Sequence, residues 1–327
     1  MIPKQYLFQC NANDKTGLGH LTRCLNIACA IKEITPEAVI TFSGDFNDFA
    51  VALLVKSNLL ITQTPCTKAL SQTTFILDNY DIDQSLINYY RGVVKTFIKI
   101  DDFNEFDLNT LDLVINFRLH AENEQYSNKA TCLGLGFFPF KKELIAIRQQ
   151  NEQTPKSDIN SIYIFIGGYD QSGAGIKLIG LLDSFLSNKQ LFLVDKNCTL
   201  QRTTALEHNT LTYLPLNSTI ENYYQDADFF ITGGGLSKYE VAFCGIANAA
   251  ISQNEGQAVD TKILANEGLT HDLGLTEQLL NNTDIETVGA KLKKIISVAE
   301  NQLLYQRSKA LFKTNSTYEL ATHIIRT

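Results

Sequence analysis

Residues 6–32 read YLFQCNANDKTGLGHLTRCLNIACAIK, and the order of patterns within them decides the fold class. Residues 6–10 form an apolar run of strand length. A glycine-containing turn follows at 16–20. From Gly19 to Lys32, Leu21, Cys24, Leu25, Ala28 and Ile31 recur at helical spacing. Strand, glycine turn and helix make the repeating unit of an α/β protein. Strand-like runs recur at 38–42, 74–77, 96–100 and 113–117, then at 162–166, 190–194, 211–214, 228–231 and 247–251, with helical patterns between them. These runs are continuously apolar rather than alternating, which predicts parallel sheets covered by helices on both faces.

The chain has 327 residues. At about 150 residues per domain this predicts roughly two domains. The stretch 149–161 (QQNEQTPKSDINS) is polar, carries Pro155 and reads as a linker, dividing the chain into 1–150 and 151–327. Residues 285–325 are helical by pattern and are free to pack back across the first domain. With 28 basic against 35 acidic side chains, a formal charge of -7 and no block of Lys or Arg, non-specific nucleic-acid binding is excluded. No apolar stretch approaches the roughly 20 residues of a membrane helix. The first ten residues lack a signal-peptide pattern, so a cytoplasmic protein is expected. Seven cysteines, at 10, 24, 29, 66, 132, 198 and 244, form no CxxC pair and read as reduced thiols in apolar runs. No metal and no cofactor is expected. The Asn217 sequon carries no meaning in a cytoplasmic protein.

Three glycine turns follow apolar strands and open helices, at the sheet edge where open α/β folds bind ligands. The first holds Gly17 and Gly19. The second holds Gly167 and Gly168. The third, 232–237, holds Gly234, Gly235, Leu236 and Ser237, with Glu240 one turn further on. Glycine admits a phosphate close to the backbone, and the free N–H groups of a first helical turn can hold it. Neither GxGxxG nor GxxxxGK[ST] occurs, which argues against a dinucleotide site or a P-loop. His20, at a helix start, has two readings: a neutral imidazole that takes a proton from water or a sugar hydroxyl, or a side chain that only caps the turn. Arg23 shares its helix face and could touch an anion, although a solvated Arg is the commoner case. Asp78 and Tyr80 follow one strand and Asp101 and Asp102 another; acids there serve either as caps or as site residues, caps more often. Tyr223, Tyr224, Phe229 and Phe230 read as core packing.

GLGHLTRCLNIA, residues 17–28, resembles the GxGHxxRCLxLA signature of the enzymes that remove UDP from UDP-2,4-diacetamido-2,4,6-trideoxy-altrose in pseudaminic acid biosynthesis. The related spore-coat polysaccharide biosynthesis proteins share that signature. Further segments are similar in the same order: LDNY (77–80), IDD (100–102), VIN (114–116), LGLGFFPFKKEL (133–144), IGGYD (166–170), GGGLSKYE (233–240) and GQAVDTKILANEG (256–268). The resemblance implies a glycosyltransferase-B-type fold, an α/β architecture of two Rossmann-like domains with parallel sheets facing across a cleft. It implies a first domain that carries the sugar and the catalytic His20 and a second that holds UDP. Tyr80 would hold the sugar or the water network. Gly168, Leu236, Ser237 and Glu240 would bind uridine and diphosphate, and Gln257 the phosphates or sugar. Gly17, Gly19, Arg23, Asp78, Asp102 and Lys141 would line the sugar side.

The departures lie in the same segments. Gln9 and Asn11 stand where the family usually has Arg and Asp; Phe137, Lys141 and Gly256 replace its Tyr, Arg and Asn. Lys cannot reproduce a bidentate Arg. The resemblance implies a metal-independent hydrolase that releases UDP by inverting attack of His20-activated water. The alternative, which the altered residues favour, is a glycosyltransferase of the same fold in surface-glycan synthesis, with His20 deprotonating a sugar hydroxyl. A non-catalytic sugar-nucleotide binder would have no need of His20.

Overall fold

The computed structural model describes residues 3–62, 70–128, 130–153, 158–168, 170, 172–216, 219–280, 285–296 and 298–327. Cys66, Pro155 and the Asn217 sequon fall outside the described residues. The chain forms two compact units, Met1–Lys141 with Lys313–Thr327, and Lys142–Phe312.

In the first unit, β1 (Gln5–Cys10) leads through the first glycine turn into α1 (Gly19–Ile34). There follow β2 (Val39–Ser43), α2 (Asp48–Lys56), β3 (Leu60–Ile61), β4 (Thr73–Asp78), α3 (Gln84–Val93), β5 (Thr96–Ile100), β6 (Leu113–Asn116) and β7 (Thr131–Leu133). All pair in parallel in the order β3-β2-β1-β4-β5-β6-β7. Every residue of β5 and β6 is buried, because helices cover both faces and leave no polar side to alternate with. Phe8, fully buried, stacks on Phe42 with ring centroids 5.1 Å apart. Burying such a side chain stabilises by roughly 2–3 kcal/mol. The two-residue β3 and the short β7 went unread in the sequence because neither carries an apolar run of strand length.

The C-terminal helix, Ser316–Arg326, packs on α1, and Ser316 Oγ donates to the Phe138 carbonyl at 2.6 Å. Only this last part of 285–325 joins the first unit; two other helices of the stretch, Ile285–Ile295 and Val298–Leu311, belong to the second.

The second unit begins with α4 (Glu143–Gln153), so the first part of the expected linker is helix. The boundary between units falls between Lys141 and Lys142 rather than near 150. The polarity of 149–153 hid the helix, whose buried side is carried by the preceding residues Leu144, Ile147 and Arg148. Arg148 donates to the Phe243 carbonyl at 2.7 Å and stacks over the Phe243 ring. Next come β8 (Ser161–Phe165), α5 (Ala174–Phe185), β9 (Gln190–Asp195), β10 (Arg202–Ala205), β11 (Thr210–Pro215), α6 (Glu221–Asp226), β12 (Phe229–Gly233), α7 (Ser237–Phe243), β13 (Ala247–Ser252), α8 (Glu255–Asn266) and β14 (His271–Leu275). The order is β10-β11-β9-β8-β12-β13-β14, parallel except for the exposed edge strand β10. A mainly aliphatic cluster built on Ile162, Ile164, Leu191, Ile231 and Ile251 packs in its core.

Both sheets reverse their direction of growth beside the first strand, between β1 and β4 in one and between β8 and β12 in the other. The carboxyl ends of strands at such a reversal point form a crevice, because the flanking connections leave in opposite directions. Among the described residues no helix is long and apolar enough to cross a membrane.

Candidate functional site

In the first unit the reversal point gathers five polar side chains from two strand ends and one helix. Gly17 adopts φ +70°, a left-handed conformation that suits glycine and lets the chain enter α1 two residues later at Gly19. His20 and Arg23 then lie one turn apart on a buried face, 8% and 4% exposed. Cys10 is in register with Asp78, so the end of β4 arrives beside the exit of β1. Asp78, fully buried, receives His20 Nδ1 at 2.8 Å on Oδ1 and Arg23 Nε at 2.6 Å on Oδ2. Arg23 Nη2 also donates to Asp78 Oδ1, completing a bidentate fork, and Nη1 donates to Asp102 Oδ2 at 2.8 Å. The Tyr80 hydroxyl donates to the same Asp102 oxygen, and the Tyr80 ring meets the His20 ring edge-on at 4.4 Å.

The electrostatics follow from these contacts. Burial acts to raise the Asp78 carboxyl, but the charges and hydrogen bonds of Arg23 and His20 outweigh it and hold the group well below the usual carboxylate range. Burial acts to lower Arg23, and Asp102 and Asp78 more than offset it, so the guanidinium stays charged. Burial and then Asp102 push the Tyr80 phenol up, keeping it a hydroxyl donor. A carboxylate at Nδ1 requires a proton there, which leaves Nε2 of His20 as the nitrogen with a free lone pair.

These positions choose between the readings left open for Arg23 and the three aspartates. Arg23 is not solvated, because two carboxylates from β4 and the loop after β5 enclose it. Asp78 and Asp102 serve as its counter-ions rather than as helix caps. Asp101 takes the blander role, accepting from the Asn104 backbone N–H at 2.8 Å and from Lys99 Nζ at 3.0 Å. Lys141, half-buried, closes the leading segment of the first unit. Sequence reasoning missed Phe117, whose ring centroid lies 5.2 Å from the Arg23 guanidinium; an aromatic directly after a buried strand was the available signal.

In the second unit the two remaining glycine turns meet. A Cβ on Gly233 would stand 2.4 Å from the Ile166 carbonyl oxygen, so only glycine allows β8 and β12 to end this close. Gly167, at φ +109°, and Gly168 continue from Ile166, whose carbonyl also accepts Gln253 Nε2 at 2.6 Å. Gly234 is pressed against Gln257 and Ser252, each of which would lie 2.8 Å from a Cβ added there, whereas Gly235 is exposed with open space beside its Cα. Leu236 and Ser237 are half-buried at the start of α7. Asp170 accepts from the Ala174 and Gly175 amides and so fastens the start of α5.

Glu240, 8% exposed, accepts the Tyr224 hydroxyl at 2.9 Å, so Tyr224 supports the turn as well as the core. Gln257 Oε1 accepts the Gln253 amide at 2.9 Å. Lys238 was missed. It is 1% exposed, donates to the Gly234 carbonyl and pairs with Asp260 at 2.8 Å, while Tyr239 donates to the other Asp260 oxygen at 2.8 Å. A buried cation therefore lies directly behind the turn. The available sequence signal was a Lys in the first turn of the helix that follows three glycines.

No family model matches the chain. It is 23% identical over 274 residues to an uncharacterized protein of Methanocaldococcus jannaschii, covering 74% of this chain and 54% of that one. It is 27% identical over 145 residues to the spore coat polysaccharide biosynthesis protein SpsG of Bacillus subtilis, covering 41% of each. The chain thus spans about half the length of the curated relatives it matches. Among solved structures it is similar to MurG of Acinetobacter baumannii, at 15% identity over 99% of this chain and 100% of that one with a TM-score of 0.68. HepE of Anabaena in complex with UDP-glucose is similar at 12% identity over 98% and 99%, with a TM-score of 0.57. The fold is the glycosyltransferase-B type. At these identities the structural likeness establishes the fold alone.

Proposed function

We propose that the chain is an enzyme acting on a UDP-sugar, with His20 as general base and the second-unit glycine turns holding the nucleotide. The observation that carries this is the buried Asp78–His20 contact, which leaves Nε2 as the basic nitrogen beside the Tyr80 ring. A histidine that only capped a turn would need no buried carboxylate behind it. In the hydrolytic reading, Nε2 takes a proton from water as the water oxygen attacks the anomeric carbon. The carbon–oxygen bond to UDP breaks with inversion, and its electron pair leaves on the β-phosphate oxygen. No metal is required in this scheme; backbone N–H groups around Gly235 offset the growing negative charge.

The resemblance of residues 17–28 to the pseudaminic acid pathway hydrolases supports water as acceptor and a diacetamido-trideoxy sugar as substrate. The partial likeness to a spore coat polysaccharide biosynthesis protein and the fold type support equally a transferase, in which a sugar hydroxyl replaces water. Gln9 and Asn11, in place of the family's Arg and Asp, favour that second reading.

The deciding experiment incubates the protein with UDP-sugars, with and without candidate acceptor glycans, and follows UDP release by phosphorus NMR. Release without acceptor identifies the hydrolase, and strict dependence on acceptor the transferase. Absence of turnover with every UDP-sugar, together with no UDP binding by calorimetry, would remove the nucleotide-sugar reading.

A further inference from the structure

Behind the third glycine turn lies a buried charge pair that the reaction scheme leaves without a role. Lys238, in the first turn of α7, donates to the Gly234 carbonyl and pairs with Asp260 of α8 at 2.8 Å. The Tyr239 hydroxyl donates to the other Asp260 oxygen at 2.8 Å, so the carboxylate is held on both sides. Burying an ammonium is costly unless it is neutralised and hydrogen-bonded, whereas an apolar side chain of similar length carries no such cost. What the lysine supplies, and an apolar side chain cannot, is the bond to Gly234. The Gly234–Gly235 peptide is trans, so its C=O and N–H point in opposite directions. Both residues flanking that peptide bond are glycines, and without Cβ atoms a flip of the peptide meets little steric resistance of its own. Lys238 draws the carbonyl towards the buried side and thereby turns the Gly235 N–H towards the exposed side of the turn. Among the described residues no protein group accepts that N–H.

We infer that Lys238 is a positioning residue for the nucleotide's diphosphate: it fixes the Gly234–Gly235 peptide with the N–H facing the ligand, and Asp260 holds the ammonium in place. In the flipped peptide the Gly234 carbonyl oxygen would meet a phosphate oxygen and repel it. The ammonium bond to the carbonyl also polarises the peptide and strengthens its N–H as a donor. Lys238 and Asp260 are neutral as a pair, so the contribution is direction rather than net charge. The inference rests on the nucleotide reading of the second-unit turns and names the side chain that keeps one of them competent to bind.

The test compares the full-length wild type with the double variant Lys238→Met, Asp260→Asn. That variant removes the ion pair without leaving either charge buried alone, keeps the net charge and retains an acceptor for Tyr239. Calorimetry reads UDP binding, and saturation-transfer NMR reads the weaker binding of uridine, which has no phosphate. The Kd for UDP is expected to rise about 10- to 100-fold, the worth of a hydrogen bond to a charged group, while that for uridine stays within about twofold. An unchanged Kd for UDP, or equal losses for UDP and uridine, would overturn the positioning role and leave the nucleotide reading intact. A second measurement needs no variant: in the wild type the Gly235 amide resonance is expected to shift on addition of UDP, and an unmoved resonance in the UDP complex would overturn the role as well. Absence of UDP binding to the wild type would sink the nucleotide reading itself, and the role of Lys238 with it.

Discussion

His20 Nδ1 lies 2.8 Å from Asp78 Oδ1, across 58 residues of sequence, because β1 and β4 are neighbours in a parallel sheet and end side by side. The contact orients the imidazole and selects its tautomer. Replacing His20 by Ala is expected to lower kcat by about 10²–10⁴-fold, the usual worth of a general base, while the Kd for UDP moves only severalfold. Steady-state kinetics and calorimetry check this; unchanged turnover would remove His20 as base.

Asp78 neutralises Arg23 as well as holding His20. Asp78→Ala is expected to destabilise the first unit by about 3–5 kcal/mol, since it strips a buried guanidinium of its bidentate partner. Arg23→Ala should cost a similar amount, and the double variant less than the sum of the two. Urea denaturation of the three variants measures the coupling, and strictly additive losses would show that the pair does not act as a unit.

The depressed Asp78 carboxyl sets the sign of an acid effect. Its folded value lies below the unfolded value of about 3.9, so the ionised form is favoured by folding. The contribution to stability is complete above the unfolded value and is lost as pH falls through it towards the folded one. The stability gap between the wild type and Asp78→Asn is therefore expected to stay constant from about pH 7 down to pH 5 and to narrow below about pH 4. A gap that widened on acidification would contradict the assignment.

Two glycines of the third turn should separate folding from binding. Gly233→Ala places a methyl 2.4 Å from the Ile166 carbonyl and is expected to destabilise the second unit outright. Gly235→Ala meets nothing within 4 Å, so its melting temperature should hold while UDP affinity falls, because the added methyl occupies the approach to the backbone amides. Thermal melts and calorimetry on both variants provide the comparison; full UDP affinity in Gly235→Ala would move the phosphate site elsewhere.

Several features were legible along the chain because they depend on neighbours in sequence. The apolar runs at 96–100 and 247–251 became buried strands, and the pattern from Gly19 became α1, since burial on both faces or on one helical face writes a period into the residues. The helix at Glu143–Gln153 escaped because its polar end imitates a linker, and β10 escaped because an exposed edge strand needs no apolar residues. Of the first cluster, His20 and Arg23 were visible as one helix face. Their roles were not, since a solvated Arg and a buried one have the same letter.

The sequence by itself determined the α/β class, two largely parallel sheets and the glycine turns at their edges, all consequences of local periodicity and of the residue type that adopts a positive φ most readily. Tertiary structure alone decided that Asp78 would be the counter-ion of His20 and Arg23, that Asp102 would keep one oxygen unpartnered among the described residues, and that Lys238 would stand behind the Gly234 turn. Strand order is chosen by packing between distant segments, and at the point where that order reverses, residues far apart in the chain come within hydrogen-bonding distance.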